Sequence, residues 1–233
     1  MKKIYAIIII GLLVTTYAHC SAQISSKDKT AADEWTGKIR IEGDKDTIWI
    51  GTVTVTDTSL IARNTDTGEM EEFYISYPSV LGAVIEASKE NNGDFSYTID
   101  YYPGYNSFIF TSIKNDGNWW QYWVDYEYAT TGSNNYKLTD ESQIIFAYTE
   151  SYPAHVLKLN IDKKLDLVIV DLCVITILDE DNNPISDATL HVGEKEYLTN
   201  KNGIAKKIFY TKNNCILYAE KQGYVRSEKI NIS

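Results

Sequence analysis

The feature that most constrains the fold of this chain is an aromatic stretch at residues 119–128. Its even positions are mostly apolar or aromatic, namely Trp120, Tyr122, Val124, Tyr126 and Tyr128. Its odd positions are mixed, namely Trp119, Gln121, Trp123, Asp125 and Glu127. Because successive side chains of a strand point to opposite faces, the alternation predicts a β-strand with one core face. The other face carries two tryptophans beside carboxylates, which makes it a candidate binding surface.

Shorter segments with the same alternation surround this stretch, and one helix interrupts them. The strand-like segments are 38–42, 47–55, 59–63, 72–77, 95–102, 108–113 and 143–148. Ser79 is a natural N-cap before apolar residues at helical spacing, and Asn91-Asn92-Gly93 supplies a stop. We expect Gly82, inside this helix, to allow a close approach to the sheet. One helix on a mostly antiparallel sheet predicts an α+β fold.

The first 22 residues have the pattern of an export signal. Lys2 and Lys3 precede an apolar run at 5–14, and small residues at 20–22 offer a cleavage position before Gln23. The apolar run is too short for a comfortable transmembrane span. We therefore expect a cleaved signal peptide and an extracellular or cell-surface protein. A lipoprotein signal that uses Cys20 and an uncleaved anchor are the alternatives.

The charge balance argues against two classes of partner. The chain has 233 residues and a formal net charge of −10, and its basic residues form no cluster. Nucleic acids and anionic membranes are bound through clustered lysine and arginine side chains. We therefore expect neither nucleic acid nor an anionic membrane surface as a partner. Since no second apolar run follows the signal, we also expect no stable membrane span after signal cleavage.

Residues 47–150 carry an ordered set of motifs. These are the helix start Ser79-Val80-Leu81-Gly82-Ala83-Val84, Phe95-Ser96-Tyr97, Phe110-Thr111-Ser112-Ile113, Trp120-x-Tyr122-x-Val124-Asp125, Gly132, Tyr136-x-Leu138 and Ile144-x-Phe146-x-Tyr148. The set resembles the transcobalamin-like C-terminal domain family. This chain has Asp125-Tyr126 where the family has Asn-Gly, and Glu141-Ser142 where it has Gly-Asp. We expect no cofactor; the alternative is cobalamin, because the resemblance implies that the region binds a corrinoid.

Residues 167–233 carry a second set of motifs. They are Asp179-x-x-x-x-Pro184-Ile185-x-x-Ala188, Thr199-x-x-x-Gly203-x-Ala205 and Lys221-x-Gly223-Tyr224. The set resembles the carboxypeptidase-regulatory-like, transthyretin-like family, which implies a small all-β sandwich that serves as a spacer or adhesive unit. Short strands separated by turns favour a sandwich independently of the resemblance. We place a linker at 151–166, and a lead-in segment with the first strand at 23–46.

Two cysteines remain after removal of the signal, Cys173 and Cys215. Each shares strand parity with apolar neighbours, so both thiols are expected to face the same small core. An even number of cysteines in an exported protein favours a disulfide between them. Two buried free thiols are the alternative.

The sequence offers little for catalysis or metal binding. His155 and His191 are the histidines left after signal removal, and no HExxH, Gly-x-Ser-x-Gly or paired-Cys spacing occurs. Asp179-x-Asp181-x-Asn183 has Pro184 and Leu190 where an EF-hand loop needs glycine and an acidic residue. The segment is better explained as a hairpin turn. We therefore predict neither an enzyme nor a metal site.

The aromatic stretch supplies the candidate site. We predict that Trp119, Trp123, Tyr105 and Asp125 bind a ligand, because exposed rings stack on a planar ligand, a glycan or a partner. The alternative is that the second domain, or a curl of the same sheet, covers the tryptophans. The predicted function is a non-catalytic binding or interaction protein of the cell surface, a two-module adhesive or structural component. Its alternative is a small-ligand module for a cobalamin-like corrinoid. The expected partners are other cell-surface proteins or a small planar ligand.

Overall fold

The computed structural model describes residues 33–90, 95–139, 141–167, 170–209 and 215–232, all within one compact unit that starts at Ala31. The predicted signal peptide at 1–22, with Cys20, lies outside the described residues. The strands in chain order are β1 (Trp35–Glu42), β2 (Thr47–Val55), β3 (Thr58–Asn64), β4 (Met70–Ile75), β5 (Tyr97–Tyr102), β6 (Ser107–Ile113), β7 (Trp120–Val124), β8 (Glu127–Tyr128), β9 (Gln143–Tyr148), β10 (His155–Val156), β11 (Lys158–Leu167), β12 (Val170–Leu178), β13 (Thr189–Val192), β14 (Lys195–Leu198), β15 (Ile204–Phe209), β16 (Cys215–Glu220), β17 (Tyr224–Val225) and β18 (Ile230–Ile232). Helix α1 spans Val80–Lys89.

The N-terminal region, residues 33–150, contains two sheets and the helix. The first sheet has the order β2-β1-β9-β7-β8, and the second has the order β4-β3-β5-β6. The pairs β1–β9 and β3–β5 are parallel, whereas the other pairs in these sheets are antiparallel. One hydrophobic core joins both sheets and the helix, with Ile39, Ile41, Leu81, Phe110 and Phe146 among its buried side chains.

Helix α1 begins where the sequence predicts. The Ser79 side chain accepts a hydrogen bond from the Gly82 amide at 3.1 Å, as an N-cap does. A Cβ added at Gly82 would lie 2.4 Å from Thr58 Oγ1 and 2.8 Å from Val55 Cγ1. The expected close approach of the helix to the sheet is therefore confirmed. The predicted stop at 91–93 lies outside the described residues.

The regular elements of the C-terminal region, residues 151–232, are all strands in the part that the structure describes. Its sheets have the orders β11-β12-β15 and β14-β13-β16-β18, and β10 pairs with β17 in parallel. Side chains from both larger sheets meet in one cluster that includes Leu159, Ile175, Leu190 and Leu217. The chain is therefore mostly β, with one α-helix and several sheets among the described residues, and no described helix is long and apolar enough to cross a membrane.

The predicted linker at 151–166 contains strands, because it includes β10 and most of β11. The strand predicted at 38–42 is present as β1, which lies between β2 and β9. The division into domains stays a prediction. Cys215 is half-buried and its thiol is free, so the predicted disulfide between Cys173 and Cys215 is not present in the structure.

Candidate functional site

Trp123 lies in a buried contact between the first sheet and the C-terminal region. Its side chain is fully buried and shares a cluster with Ile145, Ala154, Val156 and Val225. Ala154 lies just before β10, Val156 belongs to β10, and Val225 belongs to β17. The C-terminal region therefore covers this face of the sheet. The prediction that Trp123 lines an exposed surface is wrong, and the alternative that later chain covers it is confirmed.

Trp119 and Tyr105 are both exposed, but the structure does not bring them together. The exposed fraction is 56% for Trp119 and 81% for Tyr105. Tyr105 belongs to a single 3₁₀ turn before β6, and Trp119 follows the loop after β6. Since β6 has seven residues, its ends are about 20 Å apart. The predicted platform of Trp119, Trp123 and Tyr105 therefore does not form, and Trp119 is the tryptophan of the pair that stays exposed.

Asp125 lies in the tight turn between β7 and β8, on one side of a shallow cleft. Both turn residues have positive φ, 51° for Asp125 and 67° for Tyr126. The Asp125 Oδ1 atom accepts a hydrogen bond from the Gln143 amide at 2.8 Å. We call this the turn cleft; its volume is about 630 Å³, and it is lined by 125–128, Lys158 and 180–182. Lys158 already fills part of it, because its Nζ donates to the Glu180 carbonyl and to Asn182 Oδ1, both at 2.8 Å.

A second and larger cleft, here called the junction cleft, lies between the two regions. Its volume is about 700 Å³. The wall from the N-terminal region contains Glu42, Gly43, Asp44, Tyr148, Thr149 and Glu150. The wall from the C-terminal region contains Thr189, His191, Glu196, Glu220, Lys221 and Arg226, among others. The lining includes five carboxylates and the rings of Tyr148, His191 and Tyr224.

Arg226 joins the two walls of the junction cleft. Its Nη2 donates to the carbonyls of Gly43 and Asp44 at 2.9 and 3.0 Å. Its Nη1 donates to the carbonyl of Lys45 and, at 3.0 Å, to Glu220 Oε1. Its Nε lies 3.0 Å from Glu42 Oε2 in an ion pair that lacks the angles of a hydrogen bond. The β1–β2 turn is therefore closed around one buried guanidinium group from the C-terminal region.

Glu42 is the buried carboxylate of this arrangement. It lies 3.3 Å from Arg40 Nη1, and the Thr47 hydroxyl donates to it at 3.0 and 3.1 Å. Burial raises the pKa of Glu42, although Arg40, Arg226 and Thr47 each act to lower it. Burial therefore disfavours the charged form of Glu42 by more than these partners favour it.

Glu42 makes the stability of the protein depend on pH in a definite direction. Because its folded-state pKa lies above the ordinary value of 4.5, the folded protein holds this proton more tightly than the unfolded chain does. The Glu42 contribution to stability is therefore full below that ordinary value and falls as pH rises through the raised pKa. We expect urea unfolding to show that the stability of the wild type relative to Glu42→Gln falls as pH rises. A relative stability that rises with pH would mean that the two arginines outweigh burial.

His191 lies on the C-terminal wall between two carboxylates. Its Nε2 is 3.1 Å from Glu220 Oε2, and its Nδ1 is 3.6 Å from Glu196 Oε1. The imidazole stacks on the Tyr218 ring at a centroid distance of 4.4 Å and an angle of 6°. Since Glu220 also binds Arg226, a polar network runs from His191 to the β1–β2 turn.

The segment from Asp179 to Asn183 is a turn held by its own side chain. Asp179 Oδ1 accepts from the amides of Asp181 and Asn183 at 3.0 and 2.7 Å. Its Oδ2 accepts from Asn183 Nδ2 at 3.1 Å. The interpretation as a turn is confirmed. In the part of the chain that the structure describes, no group of three or more His, Cys, Asp or Glu side chains is placed to hold a metal ion.

Sequence reasoning missed the buried charges Arg40, Glu42 and Arg226. Arg40 and Glu42 alternate with Ile39 and Ile41, a pattern typical of a strand with one solvated face. The segment that covers them lies 186 residues further along the chain, where the Arg226 carbonyl accepts a hydrogen bond from Arg40 Nη1. One weak signal existed, because cover by the second domain was the alternative considered for Trp123, which lies on the same face.

Comparisons with known proteins were made at the level of family, sequence and fold. No family model, curated protein or solved structure matches this chain. The resemblances to the two families named above therefore remain expectations, and the function is inferred from the side chains at the junction.

Proposed function

We propose that this chain is an exported, non-catalytic binding protein of the cell surface, and that the junction cleft receives its partner. The export pattern of the first 22 residues supports the location. The resemblance of 47–150 to the transcobalamin-like C-terminal domain, and of 167–233 to a carboxypeptidase-regulatory-like β-sandwich, supports an α+β module followed by an all-β module. Such modules occur as interaction or spacer units in exported proteins. Cobalamin binding, implied by the first resemblance, stays a prediction.

The observation that carries the proposal is the lining of the junction cleft. Five carboxylates line it, against the two basic side chains of Lys221 and Arg226. Arg226 is enclosed by its own partners, and Lys221 Nζ donates to the Ser186 carbonyl at 2.8 Å. The open space of the cleft is therefore negative, and a negative cleft attracts positively charged groups of a partner.

Aromatic rings lie beside these carboxylates. Partial desolvation, followed by the charges of Glu150, Asp44 and Asp116, raises the pKa of the Tyr148 phenol. The exposed Trp119 is close to the same wall, because its carbonyl accepts a hydrogen bond from the amide of Thr149 at 2.8 Å. Aromatic faces and carboxylates together suit ammonium and guanidinium groups. The partner that fits best is another cell-surface protein that presents lysine or arginine side chains.

Removing two carboxylates from the N-terminal wall will weaken binding of a cationic probe. We expect Asp44→Asn combined with Glu150→Gln to reduce the affinity for an oligolysine peptide by about tenfold, because each exposed ion pair contributes up to about 1 kcal/mol. Tryptophan fluorescence reports the titration, since Trp120 contacts Tyr148 at a centroid distance of 5.8 Å.

A matched control separates the cleft from the overall charge. Glu69→Gln combined with Glu72→Gln removes the same number of carboxylates from exposed positions that do not line the cleft. We expect this variant to bind oligolysine as the wild type does. An equal loss of affinity in both double variants would show that binding follows net charge, and would overturn the proposal for the cleft.

A further inference from the structure

The face of the first sheet that the C-terminal region covers holds several buried donors without acceptors. Arg40 Nε and Nη2, Trp123 Nε1 and Gln143 Nε2 have no hydrogen-bond partner in the part of the chain that the structure describes. Buried polar groups in proteins are nearly always paired. A cluster of unpaired donors therefore indicates a further group that accepts from them.

These donors are neighbours in the sheet. Ile145 of β9 pairs with Arg40 on one side and with Trp123 on the other. Gln143 lies two residues earlier on β9, so all three side chains project from one face. Since adjacent strands are about 4.8 Å apart, the backbones of Arg40 and Trp123 are about 10 Å apart. Their long side chains span that gap.

The donors cannot all satisfy one another. A guanidinium group and an indole N–H have no acceptor atom, and Gln143 contributes a single acceptor oxygen against four unpaired donor atoms. Arg40 is fully buried, and its Nη1 already donates to the Arg226 carbonyl at 3.1 Å and faces Glu42. The edge left over is the Nε and Nη2 fork, which is the edge that binds an anion with two parallel hydrogen bonds.

The buried charges at this junction do not balance. Arg40 and Arg226 are both buried and positive, and Glu42 is the buried carboxylate that faces both. Glu220 also pairs with Arg226, but its side chain is 39% exposed. An uncompensated charge in the interior is costly. A water molecule would accept a hydrogen bond but would add no negative charge, and its own hydrogens would need acceptors.

We propose that a small monovalent anion such as chloride binds in the Nε and Nη2 fork of Arg40, between β1 and β7. Trp123 and Gln143 supply further donors to it. The half-buried Tyr126 packs against the cluster that contains Trp123 and Ile145, on the same face of the sheet. The inference is independent of the partner proposed for the junction cleft.

Halide dependence of stability tests the site. Urea unfolding is measured in chloride and in gluconate at one fixed ionic strength. With chloride at ten times its dissociation constant, the ratio of folded to unfolded protein rises by about tenfold. Arg40→Lys keeps the charge but removes the fork, and we expect it to lose the chloride effect. Arg63→Lys makes the same substitution at an arginine that is about half exposed and pairs with Asp100, and this variant should retain the chloride effect.

A bromide-soaked crystal of the full chain gives a second readout that needs no variant. We expect an anomalous peak within hydrogen-bond distance of Arg40 Nε and Nη2. Density for water alone would overturn the proposal. A crystal in which the Glu228 carboxylate occupies the fork, and no longer pairs with Lys38, would also overturn it. Equal stability in chloride and in gluconate would do the same.

Discussion

Arg226→Met will lower the free energy of unfolding by about 3–5 kcal/mol, which corresponds to a fall in melting temperature of about 6–20 °C for a chain of this size. Methionine fills a similar volume but donates no hydrogen bond. The carbonyls of Gly43, Asp44 and Lys45 would lose their donor, and Glu42 would lose one of its two counter-charges. A large cost is expected because the group removed is buried and its partners stay buried.

Urea unfolding followed by tryptophan fluorescence measures this cost. Lys137→Met is the matched control, since Lys137 pairs with Asp33 and the side chains of both are about half exposed or more. Breaking that pair should change stability by less than about 1 kcal/mol. Equal costs for the two variants would contradict the role of Arg226 at the junction.

The junction between the two regions is a buried interface. Gln121 Nε2 donates to the Ser151 carbonyl at 2.6 Å, and Lys38 pairs with Glu228. Buried apolar side chains, a buried ion pair and main-chain hydrogen bonds therefore hold the regions together. A partner bound in the junction cleft meets walls that are already fixed, and a preorganised site loses less entropy on binding.

Much of the fold could be predicted from the sequence because the signals are local. The alternation at 119–128 and the Ser79 cap each depend on neighbours within a few residues, and both describe the observed elements. The order of strands depends on contacts between distant segments. Nothing near Trp35–Glu42 indicates that this strand lies between β2 and β9 and pairs with β9 in parallel.

The candidate site was harder to predict for the same reason. Parity correctly separated Trp120, which packs on Phe146 in the main core, from Trp123 on the other face. Parity cannot show whether the second face is exposed to solvent. That depends on β10 and β17, which lie more than 30 residues later in the chain. The junction cleft draws its carboxylates from turns and strand ends, which carry no periodic pattern.

Trp123→Ala will cost about 3–5 kcal/mol of stability, because it leaves a large cavity under the C-terminal region. The side chain is fully buried among Ile145, Val156 and Val225 and contacts the Tyr128 ring at a centroid distance of 5.6 Å. Trp119→Ala removes the same atoms from an exposed position and should change stability by about 0.5 kcal/mol or less. Urea unfolding of the two variants tests both values. If Trp119→Ala proved as costly as Trp123→Ala, the assignment of one ring to the buried junction and the other to the exposed surface would be wrong.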